Sequence, residues 1–247
     1  MEELLKCIKE SKNIVFFGGA GVSTESNIPD FRSVDGIYNM KFKYPPEYMF
    51  SHTFFMKDPE EFYNFYRSQM DVRKYLPNIT HKVLAEMEDK GILKGVVTQN
   101  IDGLHEKAGS KNVFNLHGSI YENYCMKCGK KVSVENVLDV KGIPKCECGG
   151  ILKPKVVLYE EALDEEVVQG ALNLINSCDL LIVGGTSLTV YPANTFILNT
   201  NAKNIFIINK EKPNLDFMFF KNDFSDKNIV YIESSLGKVF EKVKEII

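Results

Sequence analysis

A chain of 247 residues can hold one large core, or one core plus a small satellite, and a hydrophobic share of 44% is ordinary for a globular protein. The formal net charge of −3, with Lys and Glu mixed rather than blocked, leaves no basic footprint for nucleic acid. No apolar run approaches the length of a membrane span, and the opening Met1-Glu2-Glu3-Leu4-Leu5-Lys6 reads as the start of an amphipathic helix rather than a signal peptide, so the expected location is the cytoplasm.

Leu4, Leu5 and Ile8 recur at helical spacing. Ile14-Val15-Phe16-Phe17 is a short apolar run closed by Gly18-Gly19-Ala20-Gly21, the pattern of a buried parallel strand entering a tight turn and a helix. Residues 33–77 carry Phe, Tyr and Met in a helical pattern with no strand. A helix is expected over 82–90. Val96-Val97 then ends in Thr98-Gln99-Asn100, and Val113-Phe114-Asn115-Leu116 ends in His117-Gly118. After a cysteine-bearing stretch comes Val156-Val157-Leu158, then a helix over 165–176. Leu180-Leu181-Ile182-Val183 ends in Gly184-Gly185-Thr186-Ser187, and Ile205-Phe206-Ile207-Ile208 ends in Asn209-Lys210. Ile229–Ile232 and a helix over 238–246 close the chain.

This alternation predicts an α/β fold, a Rossmann-like doubly wound parallel sheet with helices on both faces. Two stretches break the rhythm and predict a smaller domain made of a helical insertion and a four-cysteine zinc-binding module. The expected division is 1–32, 78–120 and 155–247 for the sheet domain, 33–77 for a loop and the helical insertion, and 121–154 for the cysteine module. Open α/β sheets bind ligands beyond the carboxyl ends of their strands, and polar residues gather at those ends here.

Cys125-x-x-Cys128 and Cys146-x-Cys148 are two close pairs, each followed by glycine, and together they offer four thiolates to one tetrahedral zinc. With all four positions cysteine, no ligand site stays open for water, which makes the metal structural rather than catalytic. A disulfide framework would need an oxidising compartment, to which nothing points. Cys7 and Cys178 sit in apolar-periodic contexts and read as buried thiols.

Gly19-Ala20-Gly21-Val22-Ser23-Thr24 would let backbone approach a pyrophosphate, although Thr24 stands where a full dinucleotide fingerprint has its last glycine, and a plain strand-to-helix turn explains it as well. Pro29-Asp30-Phe31-Arg32 offers an aromatic and a guanidinium on a loop, or a structural Asp-Arg pair. Gln99-Asn100-Ile101-Asp102 suits recognition of an amide and a sugar, or the N-cap of a helix around 104–107. His117 at a strand end is a candidate base, whereas His52, His81 and His105 read as structural or surface residues.

Gly19-Ala20-Gly21-Val22-Ser23, Ile28-Pro29-Asp30-Phe31-Arg32, Thr98-Gln99-Asn100-Ile101-Asp102, Leu116-His117-Gly118 and Gly185-Thr186-Ser187-Leu188 follow one another in the order and rough spacing of the sirtuin family, with the Cys pairs between the His and the Gly-Thr-Ser segments. The chain resembles that family from about residue 13 to 240, and its Phe16-Phe17-Gly18-Gly19-Ala20-Gly21 opening resembles the bacterial branch. The resemblance implies an NAD-dependent protein-lysine deacylase that acts on acyl-lysine proteins or peptides and releases nicotinamide, O-acyl-ADP-ribose and free lysine. In that family the acyl oxygen attacks the nicotinamide ribose, and a histidine then acts as general base toward a ribose hydroxyl. Carried over by motif, His117 would be that base, with Asn100 as its catalytic companion. Asn100, Ile101 and Asp102 would hold the nicotinamide, and Phe31 would shield the reacting carbon. Asp30 and Arg32 would order the loop and phosphates. Ala20, Gly21, Thr24, Gln99, Gly185, Thr186, Ser187, Asn209, Lys210 and Ser235 would bind the rest of NAD. Val157, Leu158 and Tyr159 would take the substrate backbone by β-augmentation.

Three features depart from the family pattern. Glu160 replaces the glycine of the usual Phe-Gly-Glu, which becomes Tyr159-Glu160-Glu161. The second Cys pair is one residue short. Members that remove acidic acyl groups carry Tyr and, three residues on, Arg; here Tyr63 is followed by Tyr66, with Arg67 one place and about 100° round the helix away. Neutral acyl groups are therefore expected, acetyl first, with longer chains open because Phe54, Met70 and Val157 are apolar. ADP-ribosyl transfer to protein is the rival enzyme reading; a hydride-transfer dehydrogenase and a zinc-knuckle nucleic-acid binder fit less well. The protein is expected to be a monomer.

Overall fold

The computed structural model describes residues 1–30, 36–39, 41–213 and 224–247. Nine strands follow in chain order among them: β1 (Ile14–Gly18), β2 (Leu93–Thr98), β3 (Val113–Asn115), β4 (Gly118–Cys125), β5 (Lys131–Val132), β6 (Leu152–Val156), β7 (Leu180–Gly184), β8 (Asn204–Asn209) and β9 (Asn228–Glu233). The helices are α1 (Glu2–Glu10), α2 (Pro46–Met49), α3 (His52–Lys57), α4 (Pro59–Met70), α5 (Ile79–Asp89), α6 (Leu104–Ala108), α7 (Glu135–Leu138), α8 (Glu165–Ser177) and α9 (Leu236–Lys244).

Six strands form one parallel sheet in the order β3-β2-β1-β7-β8-β9. β1 is buried along its length, and its side chains alternate between two cores. Ile14 and Phe16 face α1, α5 and α9 through Leu4, Leu84, Met87 and Phe240. Val15 and Phe17 face α8 and the 3-10 helix Ala193–Asn199 through Ile175 and Ile197. A strand buried on both sides needs apolar residues at every position, which is why β1 and β7 read as continuous apolar runs. Strand order reverses at the β1/β7 junction, the place where such a sheet opens a crevice for a ligand.

The second sheet is antiparallel, in the order β5-β4-β6. The run Val156-Val157-Leu158, one of the expected strands of the parallel sheet, does not extend it. β6 ends at Val156, and the next three residues leave as an extended edge that bridges Ser51 through Tyr159. β6 contains Pro154, which is tolerated in a short strand of this small sheet and would break a ladder in the centre of the large one. The helical insertion α2–α4 packs Phe54, Phe55, Phe62, Tyr63 and Tyr66 against Ile120, Leu152, Val156 and Leu158, a third core shared by the insertion and the cysteine sheet. Arg67 ties the two further, donating to the Val137 carbonyl at 3.1 Å and the Gly142 carbonyl at 2.6 Å.

Candidate active site and metal centre

The turn after β1 is not the α-helix that its Gly-rich lead-in predicts. It is two 3-10 turns, Ala20–Val22 and Thr24–Ser26, ended by Asn27 in the left-handed region. Thr24 bends its hydroxyl back to the Gly21 carbonyl at 3.0 Å, a local bond that competes with helix continuation. The turn lies against the turn after β7, where the Gly21 N–H donates to the Gly185 carbonyl at 2.8 Å. A Cβ on Gly21 would stand 2.7 Å from Gly185 Cα, so only glycine lets these two backbones touch.

Around this junction the polar residues from four strand ends link up. Gln99 Nε2, after β2, donates to Thr186 Oγ1 at 3.1 Å, and Asn209 Nδ2, at the end of β8, donates to the Thr186 carbonyl at 3.1 Å. Deeper in, Ser23 Oγ donates to Asp102 Oδ2 at 2.7 Å and accepts from Asn100 Nδ2 at 3.1 Å. Asp102 Oδ1 accepts the Leu104 N–H at 2.9 Å, so the residue serves the start of α6 as well as the buried cluster. Burial pushes the Asp102 carboxyl above the usual carboxylate range, against the pull of the Leu104 N–H and the Ser23 hydroxyl. Ser23 is the bridge that the residue pattern alone does not assign to the site. In the sequence it looks like an ordinary serine between two short turns.

His117 joins the two sheets. It follows β3 and precedes β4, and its carbonyl accepts the Val157 N–H at 2.9 Å. Gly118 makes the turn possible with φ +74°, in direct backbone contact with Lys155 that leaves no room for a Cβ. The His117 side chain turns back, and Nδ1 donates to the Gln99 carbonyl at 2.8 Å. That bond places the proton on Nδ1 and leaves Nε2 with a free lone pair. Burial holds the imidazole below the ordinary histidine value, and the Gln99 carbonyl pulls the other way. The group is thus neutral near pH 7 and able to take a proton.

Next to His117 the edge segment Val157–Tyr159 borders open space at Val157. Two cavities, of about 410 and 320 Å³, share Glu161 and Ala162 in their walls; Val157 and Gly118 line the smaller, and Leu163 and Phe196 the larger. Val157 is half-buried, Leu158 is buried in the third core, and Tyr159 is exposed.

Ala20 and Ile101 are half-buried beside these groups, and Ser187 is exposed with its hydroxyl against Thr189. Asp30 is half-buried, with its carbonyl bonded to the Ile37 N–H. Phe31 and Arg32 lie outside the described residues. Lys210 is exposed beyond β8 and its N–H donates to Asn209 Oδ1 at 3.0 Å, and Ser235 stands before α9. The helix that Ser235 precedes is tied to the turns after β1 by the Gly237 N–H donating to Glu25 at 2.7 Å. Of the other histidines, His81 and His105 are buried with ring centroids 4.7 Å apart, and His52 is exposed. Cys178 is buried as expected, while Cys7 is only half-buried at the rim of its core.

Cys125, Cys128, Cys146 and Cys148 bring their sulfurs within 4.8 Å of one another. Cys125 and Cys148 are 3.4 Å apart and Cys128 and Cys146 3.9 Å, too far for disulfides and near the ~3.8 Å edge of a tetrahedron with ~2.3 Å Zn–S bonds. The Cys128 and Lys127 N–H groups aim at the Cys125 sulfur and bring its thiol down to about 6. The one-residue spacing of the second pair therefore does not prevent convergence, and the set fits a structural zinc.

Comparison with known proteins agrees with this geometry. A family model described as the Sir2 family matches residues 19–192. A protein of Clostridium acetobutylicum named as an NAD-dependent protein deacetylase is 52% identical, covering 98% of this chain and 97% of its own. A Listeria innocua protein of the same name is 45% identical over 98% of this chain and 100% of its own. Among solved structures, a Sir2 complex with a deacetylated p53 peptide and 3'-O-acetyl ADP ribose superposes with a TM-score of 0.87 at 36% identity, covering 99% of this chain and 97% of that one. A Sir2–p53 peptide–NAD+ complex gives 0.83 at 34% identity, with coverage of 99% and 97%. With the family model spanning well over half of its length and full-length relatives near half identical, the chain belongs to the Sir2 family.

Proposed function

We propose that this protein is an NAD-dependent protein-lysine deacylase whose general base is His117. The observation that carries the reading is the His117 pair of bonds: Nδ1–H to the Gln99 carbonyl and the backbone carbonyl to the Val157 N–H. One residue thereby sets a neutral Nε2 between the strand ends that suit a dinucleotide and the edge that suits an extended peptide.

Bound NAD supplies a ribose carbon that loses nicotinamide to the acyl oxygen and a ribose hydroxyl that then accepts the acyl group. The chain's own residues orient and deprotonate. The facing turns at Gly21 and Gly185 let backbone N–H groups approach a pyrophosphate. Asn100, Ser23 and Asp102 present a buried, preorganised amide-recognition cluster. Nε2 of His117 takes the hydroxyl proton, and the burial that lowers its pKa keeps it unprotonated for that step.

The substrate is read as an acyl-lysine in an extended segment laid along Val157–Tyr159, with a neutral acyl group. Arg67, one place from the arginine expected of members that remove acidic acyl groups, spends its guanidinium on two backbone carbonyls of the cysteine module and lies 5.2 Å over the Tyr63 ring. We further take the protein to act as a cytoplasmic monomer without nucleic acid. Among the described residues no helix is long and apolar enough to cross a membrane.

The test is NAD-dependent turnover of peptides bearing acetyl-, succinyl- and myristoyl-lysine, read by mass spectrometry. Expected are free lysine and O-acyl-ADP-ribose from neutral acyl groups, and a His117→Ala variant that binds NAD but does not turn over. A target protein that instead gains the mass of ADP-ribose would replace this reading with ADP-ribosyl transfer.

A further inference from the structure

Glu160 stands in the left-handed region, at φ +77°, where a glycine would sit without strain. A side chain kept at such a position has to do something that glycine cannot. Here its carboxylate reaches across to the helical insertion, where Oε2 accepts the Thr53 N–H at 2.9 Å and the Thr53 hydroxyl at 2.6 Å. The Thr53 N–H is one of the first-turn donors of α3 that no helical carbonyl can satisfy.

The neighbouring groups repeat the pattern. Glu161 takes His52 Nδ1 at 2.9 Å on one oxygen, and on the other it takes Lys153 Nζ and the Leu158 N–H, each at 3.0 Å. Between these carboxylates, the backbone of Tyr159 donates to the Phe50 carbonyl and accepts the His52 N–H, both at 3.0 Å. The edge segment that follows β6 is thus fastened on one side to the start of α3, while Val157 at its beginning lines the smaller of the two cavities that Glu161 and Ala162 share.

We propose that Glu160 is a positioning residue for the acyl-lysine substrate: paired with Thr53, it clamps the Val157–Tyr159 edge to the helical insertion and fixes its register before the substrate main chain arrives. The inference rests on the proposed function for the identity of the substrate. In the clamped state the ordering of this edge is already complete, so peptide binding does not have to supply it. A glycine at this position would relax the backbone and at the same time release the edge, so stability and substrate affinity should part company.

The test compares wild type with Glu160→Gly, Glu160→Gln and Thr53→Val, using steady-state kinetics on an acetyl-lysine peptide and on NAD, thermal melting, and amide hydrogen exchange without substrate. Glu160→Gly should raise the peptide KM about five- to tenfold, with the NAD KM unchanged and kcat little altered. Its melting temperature should not fall, and the Tyr159 and His52 amides should exchange faster. Glu160→Gln keeps an acceptor oxygen for Thr53 and should recover most of the peptide KM; Thr53→Val keeps the backbone donor and should lie between. An active wild type beside a Glu160→Gly variant with unchanged peptide KM overturns the clamp alone. A wild type that turns over no acyl-lysine peptide overturns the proposed function, and the substrate role of Glu160 with it.

Discussion

His81 is placed so that acid should undo it, and one substitution can isolate its share. It is the third residue of α5, buried, and its Nδ1 accepts the Asn78 N–H at 3.3 Å in a capping box. Asn78 in turn donates to the Val22 carbonyl at 2.8 Å and the Ser26 hydroxyl at 3.0 Å, so the box braces the turns after β1. A protonated Nδ1 could no longer accept, and burial lowers the His81 pKa from 6.5 to about 4. Because the folded value lies below the unfolded one, the unfolded chain binds the extra proton first. Stability is therefore complete above pH 6.5 and drains away as pH falls toward 4. At about 1.36 kcal/mol per pH unit, the loss is about 2 kcal/mol at pH 5 and about 3 kcal/mol at pH 4.

His81→Gln keeps a side-chain acceptor at the same place in the box and removes the titration. At pH 7.5 it should cost about 1 kcal/mol, because the buried amide brings one more unmatched N–H. By pH 5 the wild type has lost about 2 kcal/mol that the variant keeps, so the two stability curves should cross, with the variant ahead by about 1 kcal/mol. Urea unfolding of both proteins from pH 7.5 to 5.0 measures this, and taking the difference cancels the titrations of groups that do not touch His81, including those of the zinc thiolates, leaving His81 and its ring partner His105. Parallel curves, or a variant that falls further behind in acid, would refute the argument.

Other expectations follow from the same geometry. The acid limb of kcat/KM for peptide should lie below the ordinary histidine pKa of about 6.5, because His117 is held low; a limb centred above that value in a pH–rate profile would contradict its role. Cys128→Ser, or zinc chelation, should lower the melting temperature by about 10 °C or more through collapse of the β5-β4-β6 sheet, and a stable active variant would show the metal to be dispensable. Gly118→Ala should destabilise by about 2–4 kcal/mol in urea unfolding, since both its φ and the Lys155 contact forbid a Cβ. Asp102→Asn should melt no lower than wild type at pH 7.5 yet lose turnover. A carboxyl raised above its unfolded pKa stabilises only at low pH and becomes a burden as pH rises through the folded value.

What could be read from the residues follows from burial. β1, β7 and β8 are sealed on both faces, so their sequences are unbroken apolar runs closed by glycine or asparagine. The cysteines were legible because a metal demands a particular donor set at short spacing, whatever the surrounding fold. β4 was not legible: over Gly118–Cys125 its burial does not alternate cleanly, because a register shift between Gly118 and Asn123 interrupts its pairing with β6. Ser23 and Asn78 were passed over for another reason. Each acts through a partner more than fifty positions away, and a hydroxyl or amide at such a site looks locally like any turn or cap residue. Glu160 was visible as a departure, but its partner Thr53 lies 107 positions earlier and only the fold brings them together.

The electrostatics of the site depend on the part of the molecule that does no chemistry. Asp102 and His117 are both driven toward their uncharged forms, and in each case burial is the dominant cause. The parallel sheet alone would leave its strand ends open to water. What closes over them starts at Gly118, where the chain leaves β3 for the antiparallel sheet, and that sheet is held by the four thiols and by the aromatic core of α3 and α4. Loosening the cysteine module should therefore do more than unfold a satellite. It should rehydrate His117 and let its pKa rise toward the solution value, which would work against the proposed role of the imidazole as a proton acceptor. The cysteine module would thereby take part in setting the protonation state of His117.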